Sequence, residues 1–360
     1  QVTNCLLTET ALALNVPPEI VKGIAEKESS DWRQFNTNGE PIVTADGGIG
    51  IMQVTNYGSY DVERLKNDIV YNIRAGVEII DSMFKRGDLP KINDHNRNVI
   101  EHWYFATLAY NGTMPVNSPI VQSTGQRNTE AYQEQVFRII NQYHFSGLKQ
   151  IPFQSSDFQY DPQVREPIQF VTKQFTTNTP LTTSTYAFKQ GDQVKTTVAN
   201  VNLRQQATSN STSLGSLSDG EVLKITGNFV YDQSVPHRKN HFVWYPVERS
   251  NGTKGFIASS YLVKHEGAAP PPVQQFRDVP ADHWAAASIT ELAGRGVIGG
   301  YPNGNFGIND SITRAQAAAL LVRLENVSVT NRPNPQFRDV PTNHPFYNEI
   351  AAAVAEGIFS

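Results

Sequence analysis

The pentapeptide Phe276-Arg277-Asp278-Val279-Pro280 returns 61 residues later as Phe337-Arg338-Asp339-Val340-Pro341. The match continues in register: His283 pairs with His344, Ile289 with Ile350 and Gly296 with Gly357. Copies held in register over this distance mark one supersecondary module used twice, and such a module buries its apolar face only against a neighbour. The C-terminal part of the chain is therefore expected to be two stacked α-rich units, residues 276–336 and 337–360, the second cut off at Ser360.

The rest of the 360 residues changes character more than once, which predicts two or three domains rather than one core. Over residues 1–145, apolar residues recur at helical spacing. Ile73, Val77, Ile80 and Phe84 form one stripe, and Val99, Trp103, Ala106 and Tyr110 another. Tyr132, Val136, Ile139 and Tyr143 form a third, and Ile20 and Ile24 lead one turn later to Glu28. Pro17-Pro18 opens the helix carrying Glu28, where proline is tolerated. In residues 146–190 the periodicity fades into a threonine-rich run, read as an extended linker whose aromatics, such as Phe153, Phe158 and Tyr160, lie on a neighbouring surface. Residues 191–264 alternate short strands with Gly, Ser, Asn and Asp turns, as in a small all-β barrel or sandwich. Residues 265–275 contain three consecutive prolines and read as a stiff spacer.

Composition narrows the function. Hydrophobic residues make up 39% of the chain and charged residues 18%, enough for packed domains and too little charge for disorder. The formal charge is −4 with no long run of one sign, so the basic field of a nucleic-acid binder is absent. The single cysteine, Cys5, excludes an intrachain disulfide and CxxC metal pairs. No apolar stretch reaches the ~20 residues of a membrane helix. Gln1 is an unusual first residue, as expected where a leader has been removed or left out.

Glu28 is the first candidate for chemistry. It shares an apolar stripe and lies near the C-terminal end of its helix. Burial and the negative end of the helix dipole both disfavour a carboxylate. Such a glutamic acid, with an ordinary pKa of ~4.3, becomes a useful proton donor to a sugar leaving group. Glu28-Ser29 is followed by Gly48-Ile49-Gly50-Ile51-Met52-Gln53 and then by Ala109-Tyr110-Asn111. In this order the motifs resemble those of the soluble lytic transglycosylase family, relatives of goose-type lysozyme, and Asn72-Ile73-Arg74-Ala75-Gly76 resembles the helix between the second and third. The resemblance covers about residues 6–143 and implies an α-rich lysozyme-like domain that cleaves peptidoglycan glycan strands between N-acetylmuramic acid and N-acetylglucosamine without a cofactor. By that resemblance Glu28 is the catalytic acid/base, Ser29 orients the substrate, Gln53 and Asn111 hydrogen-bond the sugar, and Tyr110 lies close to Glu28. Tyr110 also reads as core packing, and Gln53 and Asn111 as loop caps. The chain departs from the family at Ile51, at Val54-Thr55-Asn56 and at Gly112-Thr113.

Two mechanisms stay open. The family implies a single glutamate that first protonates the glycosidic oxygen and then accepts the 6-hydroxyl proton, closing a 1,6-anhydro ring without water. Hydrolysis needs a second carboxylate; Asp31, Glu40 and Asp46 are nearest, with Asp46 best placed at the start of the glycine loop. A third reading is a wall protein whose front domain has no activity.

Val201-Asn202-Leu203-Arg204, Trp244-Tyr245-Pro246-Val247, Lys254-Gly255-Phe256-Ile257 and Ser259-Ser260-Tyr261-Leu262 resemble a bacterial SH3-type domain, a family that commonly binds wall peptides. The alternative to peptide binding is that Trp244 and Tyr245 divide between core and surface with no ligand. The Phe-Arg-Asp-Val-Pro repeat, with His283-Trp284, Gly299 to Phe306 and Ile312-Thr313-Arg314-Ala315-Gln316, resembles the S-layer homology family, one repeat complete and one partial. That family implies attachment to pyruvylated wall polysaccharide. An arginine suits an acidic ketal through its planar donor fork, which makes Arg314 the ligand candidate. Trp284 is either a sugar platform or core packing between helices, and Asp278 is expected to cap a turn. Together the resemblances imply a secreted bacterial protein at the cell wall, with the two attached parts raising the local concentration of substrate.

Overall fold

The computed structural model describes residues 2–143, 147–232, 239–265, 276–280, 283–294, 297–301, 303–325 and 327–359. Gly296, Pro302 and residues 266–275 of the spacer lie outside the described residues. The chain divides into two compact units, residues 1–265 and 266–360.

The first unit begins with six helices: α1 (Val2–Ala13), α2 (Pro18–Ser29), α3 (Val62–Asn67), α4 (Ile69–Phe84), α5 (Tyr104–Asn111) and α6 (Tyr132–Tyr143). Local chemistry starts several of them. Pro18 occupies the first turn of α2, where no N–H partner is lost. Asp61 and Asp68 cap α3 and α4 by accepting the amides of Arg64 and Tyr71. The stripe Ile73, Val77, Ile80 and Phe84 is the buried face of α4. Residues 104–109 of α5 are buried all round, as befits a central helix. The second predicted stripe is broken: Val99 precedes a 3-10 turn, Ile100–Trp103, and α5 starts only at Tyr104. On α6 the buried face runs through Tyr132, Val136, Phe137 and Ile140, leaving Ile139 half-buried.

The segment read as a linker is part of this core. Strand β1 (Lys91–Ile92) pairs in parallel with β4 (Gln174–Phe175), and β2 (Phe158–Gln159) pairs with β3 (Gln169–Phe170). Phe153, Phe158, Phe170 and Phe175 cluster around Phe105 of α5, with ring centroids 5.6–6.4 Å from it. Burying four aromatic rings outweighs the weak local propensity of a threonine-rich run, so residues 147–190 wrap the helices instead of spanning two cores.

Residues 193–264 form a seven-stranded antiparallel sheet of β5 (Gln193–Thr196), β6 (Val201–Arg204), β7 (Ser213–Leu217), β8 (Val222–Ile225), β9 (Trp244–Arg249), β10 (Lys254–Ala258) and β11 (Leu262–Lys264), in the order β11-β5-β8-β9-β10-β6-β7. Inward residues alternate along β5 and β8, placing Val194, Leu223 and Ile225 in the core with Leu203, Val247 and Ile257. Trp244 and Tyr245 are both buried, so they do not divide between core and surface.

A buried polar seam joins this sheet to α2. Glu19 accepts the Ser184 hydroxyl and the Thr185 amide at 2.8 and 2.7 Å. Lys22, with no exposed surface, donates to the Tyr186 hydroxyl, which itself donates to the carbonyl of His241 at 2.9 Å. Glu26 accepts Lys239 at 2.6 Å, and Tyr245 donates to the carbonyl of Thr185 at 2.8 Å. Burial pushes the Glu19 carboxyl up and the Lys22 ammonium down to about 7. Charged groups at this depth are tolerated because each has a partner.

In the second unit, α7 (Ala286–Gly294), α8 (Arg314–Leu324) and α9 (Tyr347–Ala355) carry the repeat into backbone geometry. The His283 amide donates to Pro280 and the His344 amide to Pro341, at 3.0 and 2.8 Å. Nδ1 of His283 accepts the Ala285 amide, and Nδ1 of His344 that of Phe346, at 3.2 and 3.1 Å. The conserved offset in sequence is thus a conserved turn, in which each histidine ring holds the start of the following helix. Asp278 accepts the amides of Phe306, Gly307 and Ile308 at 2.7, 2.7 and 3.2 Å, the capping role expected of it. Thr313 and Gln316 form a reciprocal capping box on α8, a role that a glutamine fills as well as a glutamate.

Candidate active site

Glu28 occupies the last turn of α2, half-buried. The helix ends abruptly: Ser30, Asp31 and Trp32 take left-handed φ values of 38°, 82° and 54°. Left-handed backbone at a non-glycine costs on the order of 1–3 kcal/mol per residue and persists only where tertiary packing enforces it. Trp32 supplies that packing. It is buried against the His241 ring at 4.6 Å, and its indole donates to the carbonyl of Lys22.

Above Glu28, the hydroxyl of Tyr132 at the start of α6 donates to Oε1 at 2.5 Å. Burial is the largest influence on Glu28 and raises its pKa above the ordinary value. The Tyr132 hydrogen bond and the Lys27 charge act against that shift, and the charge of Asp46 adds to it. Glu28 in turn pushes the phenols of Tyr110 and Tyr132 up, behind the larger effect of their own burial. The result is a carboxyl biased toward its protonated form between two phenols that stay neutral.

The glycine loop follows Asp46, whose charge acts on Glu28. Its shape is set by two buried amides: Gln34 accepts the Ile51 amide at 3.0 Å, while Asn72 accepts that of Met52 at 3.0 Å and donates to Ile49 at 2.9 Å. Gly50 has φ +70°, and a Cβ there would lie 2.4 Å from Gln34 and 2.5 Å from Asn72. No other residue fits that position. Tyr110 donates to the carbonyl of Met52 at 2.7 Å, tying α5 to the loop. The hydroxyl of Thr44 lies 2.6 Å from Asp46 and 2.7 Å from Oε1 of Gln53, with one proton to give. That bond holds the exposed Asp46 carboxyl below its usual range.

The expected substrate residues lie in different settings. Tyr110 is within the electrostatic reach of Glu28 and also packs in the core, so its two readings coexist. Ser29 turns its hydroxyl back to the carbonyl of Ala25 at 2.9 Å, and the Gln53 amide donates to Gly50 at 2.8 Å. Asn111 is exposed and accepts the amide of Asn117 at 3.0 Å. Asn117 also accepts the backbone amide of Tyr132, linking Asn111 to the residue that holds Glu28. Tyr132 was legible only as a member of a core stripe, and Gln34 carries no motif at all. In the second unit Trp284 is 90% exposed, which removes the core-packing reading. Arg314 lines a pocket of about 150 Å³ with Phe337, Asp339 and His344 of the second repeat. Among the described residues no helix is long and apolar enough to cross a membrane.

An antiparallel seven-stranded unit and a doubly used histidine turn define a modular protein. Residues 199–263 match the bacterial SH3 domain family, and residues 275–318 and 336–360 match the S-layer homology domain family. The chain is a cell-surface or cell-wall-associated protein. It is 36% identical over 97 residues to S-layer protein EA1 of Bacillus anthracis, covering 26% of this chain and 11% of that protein. It is 52% identical over 50 residues to outer membrane protein SlpA of Thermus thermophilus, covering 14% of this chain and 6% of that protein. With a cellulosome-anchoring protein of Acetivibrio thermocellus it shares 38% identity over 80 residues, 22% of this chain and 18% of the other. The chain thus spans only about a tenth of the length of the first of these relatives. No solved structure matches it.

Proposed function

We propose that the helical front of this surface protein cleaves the glycan strands of peptidoglycan between N-acetylmuramic acid and N-acetylglucosamine, with Glu28 as acid and then base. The observation that carries the reading is a carboxyl raised by burial, with the charge of Asp46 adding to the shift, and held by the Tyr132 hydroxyl. Protonated Glu28 gives its proton to the glycosidic oxygen as the C1–O bond breaks. The resulting carboxylate takes the proton of the muramic 6-hydroxyl while that oxygen bonds to C1. The product is a 1,6-anhydro end, no water is consumed, and Glu28 is again protonated. Proton transfer of this kind contributes roughly 10²–10⁴ in rate. The chemistry needs neither metal nor organic cofactor.

Asp46 favours a second reading, hydrolysis, because its charge acts on Glu28 from the loop and could steady a water. Loss of turbidity of purified wall, compared between the wild type and Glu28→Gln, tests cleavage, and equal inactivity of both refutes it. The mass of the released muropeptides separates the two chemistries, since an anhydro end is lighter by one water. The repeats are proposed to hold pyruvylated wall polysaccharide, Arg314 meeting the acidic ketal and the exposed Trp284 ring stacking on sugar. The β unit is proposed to meet wall peptides.

A further inference from the structure

Lys239 and His241 of the β unit reach the helix that carries Glu28. Lys239 donates to both oxygens of Glu26 at 2.6 Å and to Oδ1 of Asp31 at 3.2 Å, so its ammonium brackets Glu28, with one partner before it and one after. His241 is buried, its ring stacked on Tyr143 at the end of α6 at 3.7 Å and tilted against Trp32 at 4.6 Å. The segment that brings these groups is anchored in the β core. Val243 has no exposed surface and its carbonyl accepts the Ser259 amide at 2.8 Å, while the His241 carbonyl accepts the Tyr186 hydroxyl at 2.9 Å.

These contacts converge on the turn that ends α2. Ser30, Asp31 and Trp32 are consecutive non-glycine residues with left-handed φ, and such backbone relaxes unless its surroundings enforce it. The Ser30 amide donates to the carbonyl of Glu26 at 3.1 Å and the Trp32 indole to that of Lys22 at 3.3 Å, both within α2 itself. The ion pair to Asp31 and the ring contact to Trp32 come instead from the β unit, 208 residues away for the ion pair. Glu28 lies just before this turn, so the turn decides whether its carboxyl stays among the groups around it: Tyr132, Tyr110, Lys27 and Asp46. The charged groups around His241 are Glu26, Lys22 and Lys239.

Taking Glu28 as the reacting group of the proposed cleavage, we infer that Lys239 and His241 are positioning residues: the β unit holds the turn after Glu28, and through it the burial of that carboxyl. The front helices and the β unit are then one catalytic body, and displacing residues 239–241 depletes protonated Glu28. The sign follows from the causes. Burial is the largest influence raising the Glu28 pKa, so a loosened turn that admits water lowers it. Loss of the Lys239 charge by itself acts the other way, since a nearby cation favours the carboxylate.

NMR titration of the full chain carrying isotope-labelled glutamate reads the carboxyl directly and needs no turnover; the Glu28 signal is the one lost in Glu28→Gln. Lys239→Met is expected to lower the Glu28 midpoint by about 0.5 pH, an about threefold fall in the ratio of protonated to ionised carboxyl at fixed pH. Lys239→Arg, which keeps the charge and reaches the same two carboxylates, should retain the wild-type midpoint. A Glu28 midpoint unchanged or raised in Lys239→Met overturns the inference, even where thermal stability falls, because a merely stabilising ion pair gives that result. If Lys239→Met does not fold, His241→Leu takes its place with the same expectation and the same refutation. It removes the ring stack, and the histidine it replaces is neutral above about 4. Wall clearing by the wild type, compared with Glu28→Gln, is read separately. A coupled titration without clearing sinks the proposed cleavage alone, and clearing with a Glu28 midpoint indifferent to residue 239 sinks the positioning alone.

Discussion

The Tyr132 hydroxyl donates to Oε1 of Glu28 across 104 residues of sequence, joining the end of α2 to the start of α6. This bond favours the charged carboxylate, whereas burial favours the neutral acid, and burial is the larger influence. Tyr132→Phe removes the opposing contribution and raises the Glu28 pKa further. The alkaline limb of the activity–pH profile is then expected to move to higher pH, as read from initial rates of wall clearing.

Asp46→Asn has the opposite sign. The Asp46 charge raises the Glu28 pKa, so its removal lets the carboxyl ionise earlier and moves the alkaline limb to lower pH. The same variant separates the two mechanisms. An anhydro-forming enzyme keeps turning over at acidic pH with unchanged product mass, and a hydrolase that depends on Asp46 stops.

Gly50→Ala should destabilise the first unit by about 1–3 kcal/mol, because the new methyl meets the Gln34 and Asn72 side chains in a backbone conformation that side chains avoid. Thermal unfolding followed by circular dichroism measures it, and an unchanged midpoint contradicts the clamp.

The first unit should lose stability as the pH falls from ~6.5 toward 4. Burial lowers the His241 pKa to about 4, a shift reinforced by the Lys22 and Lys239 charges and opposed by Glu26. An unfolded histidine binds its proton near ~6.5, so the unfolded state takes up protons first over this window. The full loss is about 3 kcal/mol by order of magnitude. His241→Phe should flatten this part of the profile of unfolding midpoint against pH.

Trp284→Ala is expected to leave the unfolding midpoint of the second unit unchanged, since the ring is 90% exposed, and to weaken retention on pyruvylated wall polysaccharide. A lower midpoint with retention intact would return Trp284 to a packing role.

Periodic elements were the readable part of this chain. The stripe of α4, the short strand β8 and the 61-residue repeat all reflect local geometry, which a short window records. Glu28 stood out for the same reason, a polar residue on an apolar stripe. Tyr132 did not, because an aromatic at helical spacing looks the same whether its hydroxyl meets solvent or a carboxylate. Phe153, Phe158 and Tyr160 were read as lying on a neighbouring surface; that this stretch completes the helical core was not legible, because its partners, Phe105 and β1, lie far away in sequence. Trp244 and Tyr245 are both buried, Tyr245 in the core of the β unit with its hydroxyl on the carbonyl of Thr185, a partner 60 residues away that a short window does not record.

The seam between α2 and the β unit changes what that unit can contribute. A module on a flexible leash searches a volume, and its benefit grows with reach. Here Glu19, Lys22 and Glu26 bolt the two parts together one helical turn at a time, on the helix that ends in Glu28. Whatever the β unit grips is therefore presented to the carboxyl at one fixed offset. On the proposed function the pair would work as a gauge: a wall segment would either span both sites in register or engage only one.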